Sequence, residues 1–198
     1  MNKMTKGTIA AGAALMLLLG TGGTLAYWND NASLAGQTIT AGQLRVVQNG
    51  TATWQIQHQS GTVEAVANIG NARIVPGDKL IYTGAYNVTA EGQNLAFKVD
   101  LAAGAITGST TAAADVALAG RLAAAATFSV NGGAATAPGT SVTVPKTGGN
   151  AVTTTPVTIT ATITWPFGDA TSPAADNLAK QGKVNLSAFA LTVTQVAG

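Results

Sequence analysis

The clearest hydrophobic pattern in the chain is a strict alternation of apolar and polar residues that begins after Pro156 and ends at Trp165. The apolar positions are Val157, Ile159, Ala161, Ile163 and Trp165, and threonines occupy the positions between them. A period of two is typical of a β-strand with one face in a core, and β-branched threonines suit the other face of such a strand. The pattern therefore predicts a strand over 156–165.

Two further alternating segments predict a hairpin. The first runs from Leu80 to Val88, and the second runs from Leu95 to Leu101. The four residues between them, Glu91-Gly92-Gln93-Asn94, have the composition of a turn. Because alternating segments joined by a short polar turn commonly pair, we predict that these two strands form an antiparallel hairpin.

Shorter strands and one helix complete the predicted elements. Strands are expected at 44–48, 53–59, 127–131, 141–144 and 184–196. In the last of these the apolar parity changes after Leu186, which predicts a bulge or bend near Ser187 and Ala188. The alanine-rich segment 112–126 predicts one short helix with Asp115 as its N-cap.

These elements predict an all-β fold. About eight strands at short spacing with a single helix favour one jelly-roll-like or immunoglobulin-like β-sandwich over residues 28–198. The pattern does not separate the two topologies, and no linker divides this part of the chain.

The first 27 residues have the pattern of an export signal. Two lysines precede an apolar run from Ile9 to Leu19, and small residues follow as far as Ala26. This order is typical of a signal peptide, and the run is shorter than the ~20 residues that span a bilayer. We predict a signal peptide over 1–27, cleavage near Ala26, Tyr27 and Trp28, and a secreted product. An uncleaved membrane anchor is the alternative.

Composition and charge exclude several classes of function. The chain has no cysteine and one histidine, which excludes disulfides, thiol nucleophiles and metal sites built on several imidazoles or thiolates. It has ten basic and eight acidic residues, so loss of the two signal lysines would leave equal numbers. Nothing in this pattern indicates a cofactor or a nucleic-acid partner.

Candidate chemistry is sparse. His58 shares its parity with Trp54 and Ile56 and is a candidate base, although a histidine at a strand end is the simpler interpretation and no Gly-x-Ser-x-Gly elbow accompanies it. Asp78 is expected to organise its own Pro-Gly-Asp turn. Carboxylates that meet only in space would leave no motif, so a hydrolase or a Ca²⁺ site stays open as an alternative.

An aromatic pair follows the strand that ends at Trp165. Trp165 and Phe167 flank one proline and are candidates for an exposed aromatic patch that contacts sugar or protein. A core position for the tryptophan is the other interpretation. The patch motivates an alternative function as a secreted carbohydrate- or protein-binding module.

Four segments carry a family resemblance. Residues 22–30, Gly-Gly-Thr-Leu-Ala-Tyr-Trp-Asn-Asp, look like the end of an alternate-type signal peptide, and residues 38–46 resemble the strand that follows it. Ile74-Val75-Pro76-Gly77-Asp78 is similar to a turn, and 181–195 to a closing strand, of the same proteins. Together they resemble the TasA/camelysin (CalY) group and its actinobacterial relatives.

The resemblance implies a non-catalytic structural role. It implies a jelly-roll subunit of extracellular surface or biofilm-matrix fibres, processed by a SipW-like signal peptidase and in contact with the membrane only through the uncleaved signal. In such fibres an N-terminal strand completes the sheet of the next copy, and the matching segment here is 28–39, with Trp28, Leu34 and Ile39 as its large apolar residues. Alternatively this segment is a first strand of its own domain or a disordered tail. The chain lacks a His-Glu-x-x-His motif, so a metalloprotease activity does not transfer.

Overall fold

The computed structural model describes residues 41–92, 95–146, 149–168 and 173–197 of the chain. These described residues form one compact unit. The predicted signal peptide, its cleavage site and the predicted donor strand lie outside the described residues, and with them Ala26, Tyr27, Trp28, Leu34 and Ile39.

The predicted all-β architecture is confirmed. The strands are β1 (Gln43–Gln48), β2 (Thr53–Gln57), β3 (Val63–Val66), β4 (Lys79–Glu91), β5 (Leu95–Leu101), β6 (Thr107–Gly108), β7 (Ala126–Val130), β8 (Val142–Pro145), β9 (Thr153–Thr164), β10 (Val184–Asn185) and β11 (Leu191–Ala197). The helices are α1 (Ala113–Ala124) and α2 (Pro173–Leu178), with a 3₁₀ turn at Ile69–Asn71. The second helix was not predicted.

The strands form two larger antiparallel sheets and one small one. The six-stranded sheet, here called the wide sheet, has the order β3-β2-β4-β9-β7, with β1 also paired to β4. The three-stranded sheet, here called the narrow sheet, has the order β11-β5-β8, and β10 pairs with β6. The wide and narrow sheets pack their apolar faces together, which is a sandwich-like arrangement.

One long strand organises the wide sheet. β4 pairs with β9 along one edge for its first twelve residues, 79–90. Along its other edge it pairs first with β2, through 79–83, and then with β1, through 86–91. β1 and β2 therefore follow one another along a single edge of β4.

The predicted hairpin between β4 and β5 is wrong. β4 lies in the wide sheet and β5 in the narrow sheet, so the chain crosses from one sheet to the other near Gly92. The reason is burial: Val88 of β4 and Phe97 of β5 are both fully buried in one cluster. Two alternating strands can bury more apolar surface by facing each other across a core than by lying side by side.

The predicted helix forms, but its start is wrong. α1 begins after Ala112, which makes no side-chain cap bond, and Asp115 lies inside the first turn. Leu118 and Leu122, four residues apart, are buried against the wide sheet in a second cluster with Ile163. Packing of this face, rather than an N-cap side chain, therefore fixes the helix.

The change of parity near the C-terminus marks a break between two strands. The chain turns at 187–188, so the expected bend is present, but it separates β10 from β11 instead of bulging one strand. Val184 packs with the cluster under α1, whereas Leu191 and Val193 pack between the wide and narrow sheets. The apolar residues before the turn and those after it therefore pack into different hydrophobic clusters.

Candidate functional site

The narrow sheet ends in a strand with an open edge. β11 pairs with β5 along one side, and within the described part of the chain no strand pairs with its other side. The Ala102 N–H donates to the Ala190 carbonyl (3.3 Å), one step beyond the ladder. Because an antiparallel ladder alternates, Thr192 and Thr194 turn their N–H and C=O groups to β5, while Val193 and Gln195 turn theirs outward.

β1 has apolar side chains on the face of the wide sheet that is turned toward the core. Leu44 pairs with Ala90 and Val46 pairs with Val88, and cross-strand partners project from the same face of a sheet. Both partners are fully buried in the core between the sheets, yet Val46 keeps 38% of its surface exposed. The inner face of β1 is therefore incompletely covered.

The outer edge of β11 and the incompletely covered inner face of β1 are here together called the open slot. Leu44 of β1 and Val193 of β11 both pack against the core cluster between the wide and narrow sheets, so the two strands contribute to one core. Val47, on the opposite face of β1, is 43% exposed and faces away from the slot.

A cavity of about 440 Å³ lies next to the open slot, between the wide and narrow sheets. Its lining comes from β2, β4, β5, β9, β11, the 3₁₀ turn and the segment before β11: Trp54, Ile69, Tyr82, Tyr86, Leu101, Ile159, Leu186, Ser187, Phe189 and Leu191. The sequence analysis did not predict this cavity, because its lining residues come from segments that are distant in the chain.

Three aromatic rings meet in this cavity. The Trp54 ring lies 5.0 Å from that of Tyr82 and 5.9 Å from that of Phe189, and Tyr82 meets Phe189 edge to face at 6.0 Å. The Tyr82 and Tyr86 hydroxyls are 2.6 Å apart and share a hydrogen bond. Burial, followed by that bond, raises the pKa of Tyr82, so its hydroxyl stays protonated under ordinary conditions.

The predicted aromatic patch does not form as the sequence suggested. Trp165 is only 5% exposed and belongs to the cluster under α1, whereas Phe167 is 66% exposed. The Trp165 indole N–H donates to Asp176 Oδ1 (3.1 Å), which gives the buried ring a partner for its polar atom. One exposed phenylalanine remains.

His58 lies directly after β2, between two carboxylates. Its Nδ1 is 3.1 Å from Asp78 Oδ1, and its Nε2 is 3.6 Å from Glu64 Oε2. The hydrogen bond to Asp78, the largest cause, raises the pKa of His58, and Glu64 adds to the effect. Both ring nitrogens thus face acids, an arrangement suited to an ion bridge rather than to activating a hydroxyl nucleophile.

Asp78 organises its turn as predicted. Its backbone N–H donates to the Val75 carbonyl (3.0 Å), and its Oδ2 accepts from the Val75 N–H (3.0 Å). Gly77 has φ +98°, a conformation that favours glycine. The same buried carboxylate therefore closes the turn and holds His58.

Two other acids hold the helices. Asp115 accepts hydrogen bonds from the Thr110 N–H, the Thr110 hydroxyl and the Lys183 N–H at 2.7–3.0 Å, and these bonds lower its pKa. Asp176 accepts from Trp165 and from the Arg121 guanidinium (2.5 Å), which lower its pKa as well. In the described ranges no group of three or more His, Cys, Asp or Glu residues is arranged to hold a metal ion.

Comparisons with protein-family models, with curated proteins and with solved structures found no match for this chain. Among the described residues no helix is both long and apolar enough to cross a bilayer.

Proposed function

We propose that this protein is a secreted structural subunit that associates with its own copies when a strand of one copy is added to the edge of β11 in the next. The observation that carries the proposal is the open slot, which combines an unpaired strand edge with the partly exposed inner face of β1 in one sandwich. The product is an extracellular surface or matrix fibre, formed without catalysis.

The physical reason is that one added strand corrects two deficits at once. Its backbone would pair with the outward N–H and C=O groups of Val193 and Gln195, which are otherwise left to water. Its alternate side chains would cover Val46 and Leu44, whose strand partners are already fully buried. Backbone pairing supplies affinity in such contacts, and side-chain pockets supply register.

The proposed donor is the segment 28–39 of a second copy, which carries Trp28, Leu34 and Ile39. The chain enters β1 beside the end of β4, because Gly42 packs directly on the Glu91 carbonyl. That end of the sandwich also holds the end of β11, where Ala197 pairs with Leu95. At about 3.3 Å per residue, twelve extended residues reach ~40 Å, more than β11 requires.

A proline at the edge of β11 tests the proposal. Gln195→Pro removes one outward N–H without touching a bond to β5, and edge strands tolerate proline. Gln195→Ala is the matched control, because it shortens the same side chain and keeps the N–H. We expect filaments, imaged by electron microscopy at high protein concentration, from the control but not from Gln195→Pro.

The donor is tested separately. Removal of residues 28–36 should abolish filaments while leaving the circular dichroism of the sandwich unchanged, and the removed segment added as a peptide should bind the shortened protein. Filaments that form as before from either the proline variant or the shortened protein would contradict strand addition.

A further inference from the structure

The cavity beside the open slot has a chemistry of its own, independent of self-association. We propose that it binds a small, uncharged aromatic molecule that carries a single hydrogen-bonding group at its edge. The ring would lie against the cluster of Trp54, Tyr82 and Phe189, and its polar group would meet the paired hydroxyls of Tyr82 and Tyr86.

The size of the cavity suits a ring compound. Its volume is about 440 Å³, within the ~300–1,000 Å³ usual for small-molecule sites. An apolar cavity of only ~150 Å³ already accepts benzene. The volume therefore accommodates a bicyclic ring with space to orient it.

The lining decides the polarity of the ligand. None of the described residues that line the cavity is charged, and the polar side-chain atoms among them are the indole nitrogen of Trp54 and the hydroxyls of Tyr82, Tyr86 and Ser187. A charged ligand would lose its hydration without gaining a counter-ion, which is costly. A sugar would bring several hydroxyls to a lining that offers few partners, so most of them would be left unpaired.

The hydroxyls of Tyr82 and Tyr86 explain why the proposed ligand carries one hydrogen-bonding group. At 2.6 Å, one hydroxyl donates to the other, so one proton and further lone pairs of the pair remain for a ligand. Tyr82 stays protonated because burial raises its pKa. A ring with one N–H or O–H can complete this short chain of hydrogen bonds.

The face of the ring is recognised by aromatic contacts. The three rings pack against one another, tilted or edge to face, with centroids 5.0–6.0 Å apart, and all three residues line the site. A further flat ring gains offset or edge-on contacts in such a group. Aliphatic side chains of Ile159 and Leu191 complete the walls.

Isothermal titration of the purified protein with indole tests the proposal. Indole is flat, uncharged and carries one N–H, and indole-3-acetate is the charged counterpart. We expect saturable binding of indole and at least tenfold weaker binding of indole-3-acetate.

Two variants localise the binding. Ser187 lies in the exposed turn at the cavity, so Ser187→Trp should fill the mouth and reduce the affinity for indole at least tenfold. Thr192→Trp places the same side chain on the outward face of β11 and should leave the affinity unchanged. Circular dichroism at the titration temperature confirms that both variants are folded.

Three outcomes would overturn the proposal: no saturable binding of indole by the folded protein, equal binding of the charged analogue, or equal binding by the Ser187→Trp variant. Suppression of indole binding by a rise in protein concentration alone would also overturn it, because the occupant would then be a second copy of the chain. None of these outcomes depends on whether filaments form.

Discussion

The two ends of the wide sheet bury their inner faces to different extents. At the end where β4 begins, Leu80 and Ile163 are covered by Leu122 of α1, and all three are buried. At the end where β4 finishes, Val46 of β1 faces the same way but keeps 38% of its surface exposed. The two ends are here called the covered half and the open half, and in the open half the exposure is confined to β1, because Val88 of the neighbouring β4 is fully buried.

The covering elements account for the difference. α1 is a helix with an apolar face, and its surroundings are tied by the hydrogen bonds to Asp115 and Asp176. The narrow sheet covers the other half, but it ends at β11 without a further described strand. A helix closes the face it covers, whereas a sheet that stops short leaves both an apolar face and a backbone edge available.

The largest effect is expected in the covered half. Leu122→Ala should reduce the free energy of unfolding by about 2–5 kcal/mol, because a fully buried leucine leaves a cavity when truncated. Val116→Ala, on the exposed face of α1, should change it by less than ~0.5 kcal/mol. Urea denaturation measures both free energies of unfolding. Similar losses in the two variants would show that the buried face of α1 does not stabilise the covered half.

The next largest effect is expected from loss of the hydrogen bonds that the Asp115 carboxylate accepts. Hydrogen bonds hold its folded pKa below the ordinary value of about 3.9, so the stability it contributes is present above that pH and lost as pH falls through the folded pKa. Asp115→Asn should therefore lower the melting temperature at pH 7 and flatten its acid dependence between about pH 5 and 2. If the melting temperature of the variant falls with pH as that of the wild type does, the hydrogen bonds to Asp115 do not contribute the predicted stability.

A smaller effect is expected at the boundary of the open half. Tyr86→Phe removes one hydroxyl and leaves that of Tyr82 without its 2.6 Å partner. We expect a loss of about 0.5–1.5 kcal/mol, measured by chemical denaturation. Tyr86 is partly exposed, so a loss as large as that for Leu122→Ala would mean that the open half is packed as tightly as the covered half.

The smallest effect is expected at His58, whose side chain is 36% exposed. Its folded pKa is raised, so the stability from its bridge to Asp78 and Glu64 is present below about pH 6.5 and lost as pH rises through the folded pKa. His58→Gln should match the wild type at pH 9 and be slightly less stable at pH 5.5. A difference that grows with pH would contradict the bridge.

The contrast between the halves also shows what the sequence could predict. Alternation located β9 and β7, because a buried face imposes a period of two on each strand regardless of its partner. It did not locate the partner of β4, since the same pattern serves a hairpin and a crossing between sheets. The cavity escaped prediction because Trp54, Tyr82 and Phe189 meet only after the chain has crossed five times between the wide and narrow sheets.

Trp165 and Phe167 show the same limit. Both follow one strand two residues apart, and the alternation that ends at Trp165 carries its ring into the core, where Asp176 satisfies its N–H. Phe167 lies beyond the end of the strand, where the period no longer applies. The exposure of a side chain just past the end of a strand depends on which other elements pack there. Here those elements are α1 and α2, which the alternation along the strand does not reveal.

A matched pair of lysine substitutions on β1 tests the open slot most directly. Val46 and Val47 are adjacent, similarly exposed and on opposite faces of the strand, and only Val46 faces the slot. Sedimentation velocity and electron microscopy of Val46→Lys and Val47→Lys at equal concentration compare them. The account predicts filaments from Val47→Lys and monomers from Val46→Lys, and filaments from Val46→Lys at the wild-type level would contradict it.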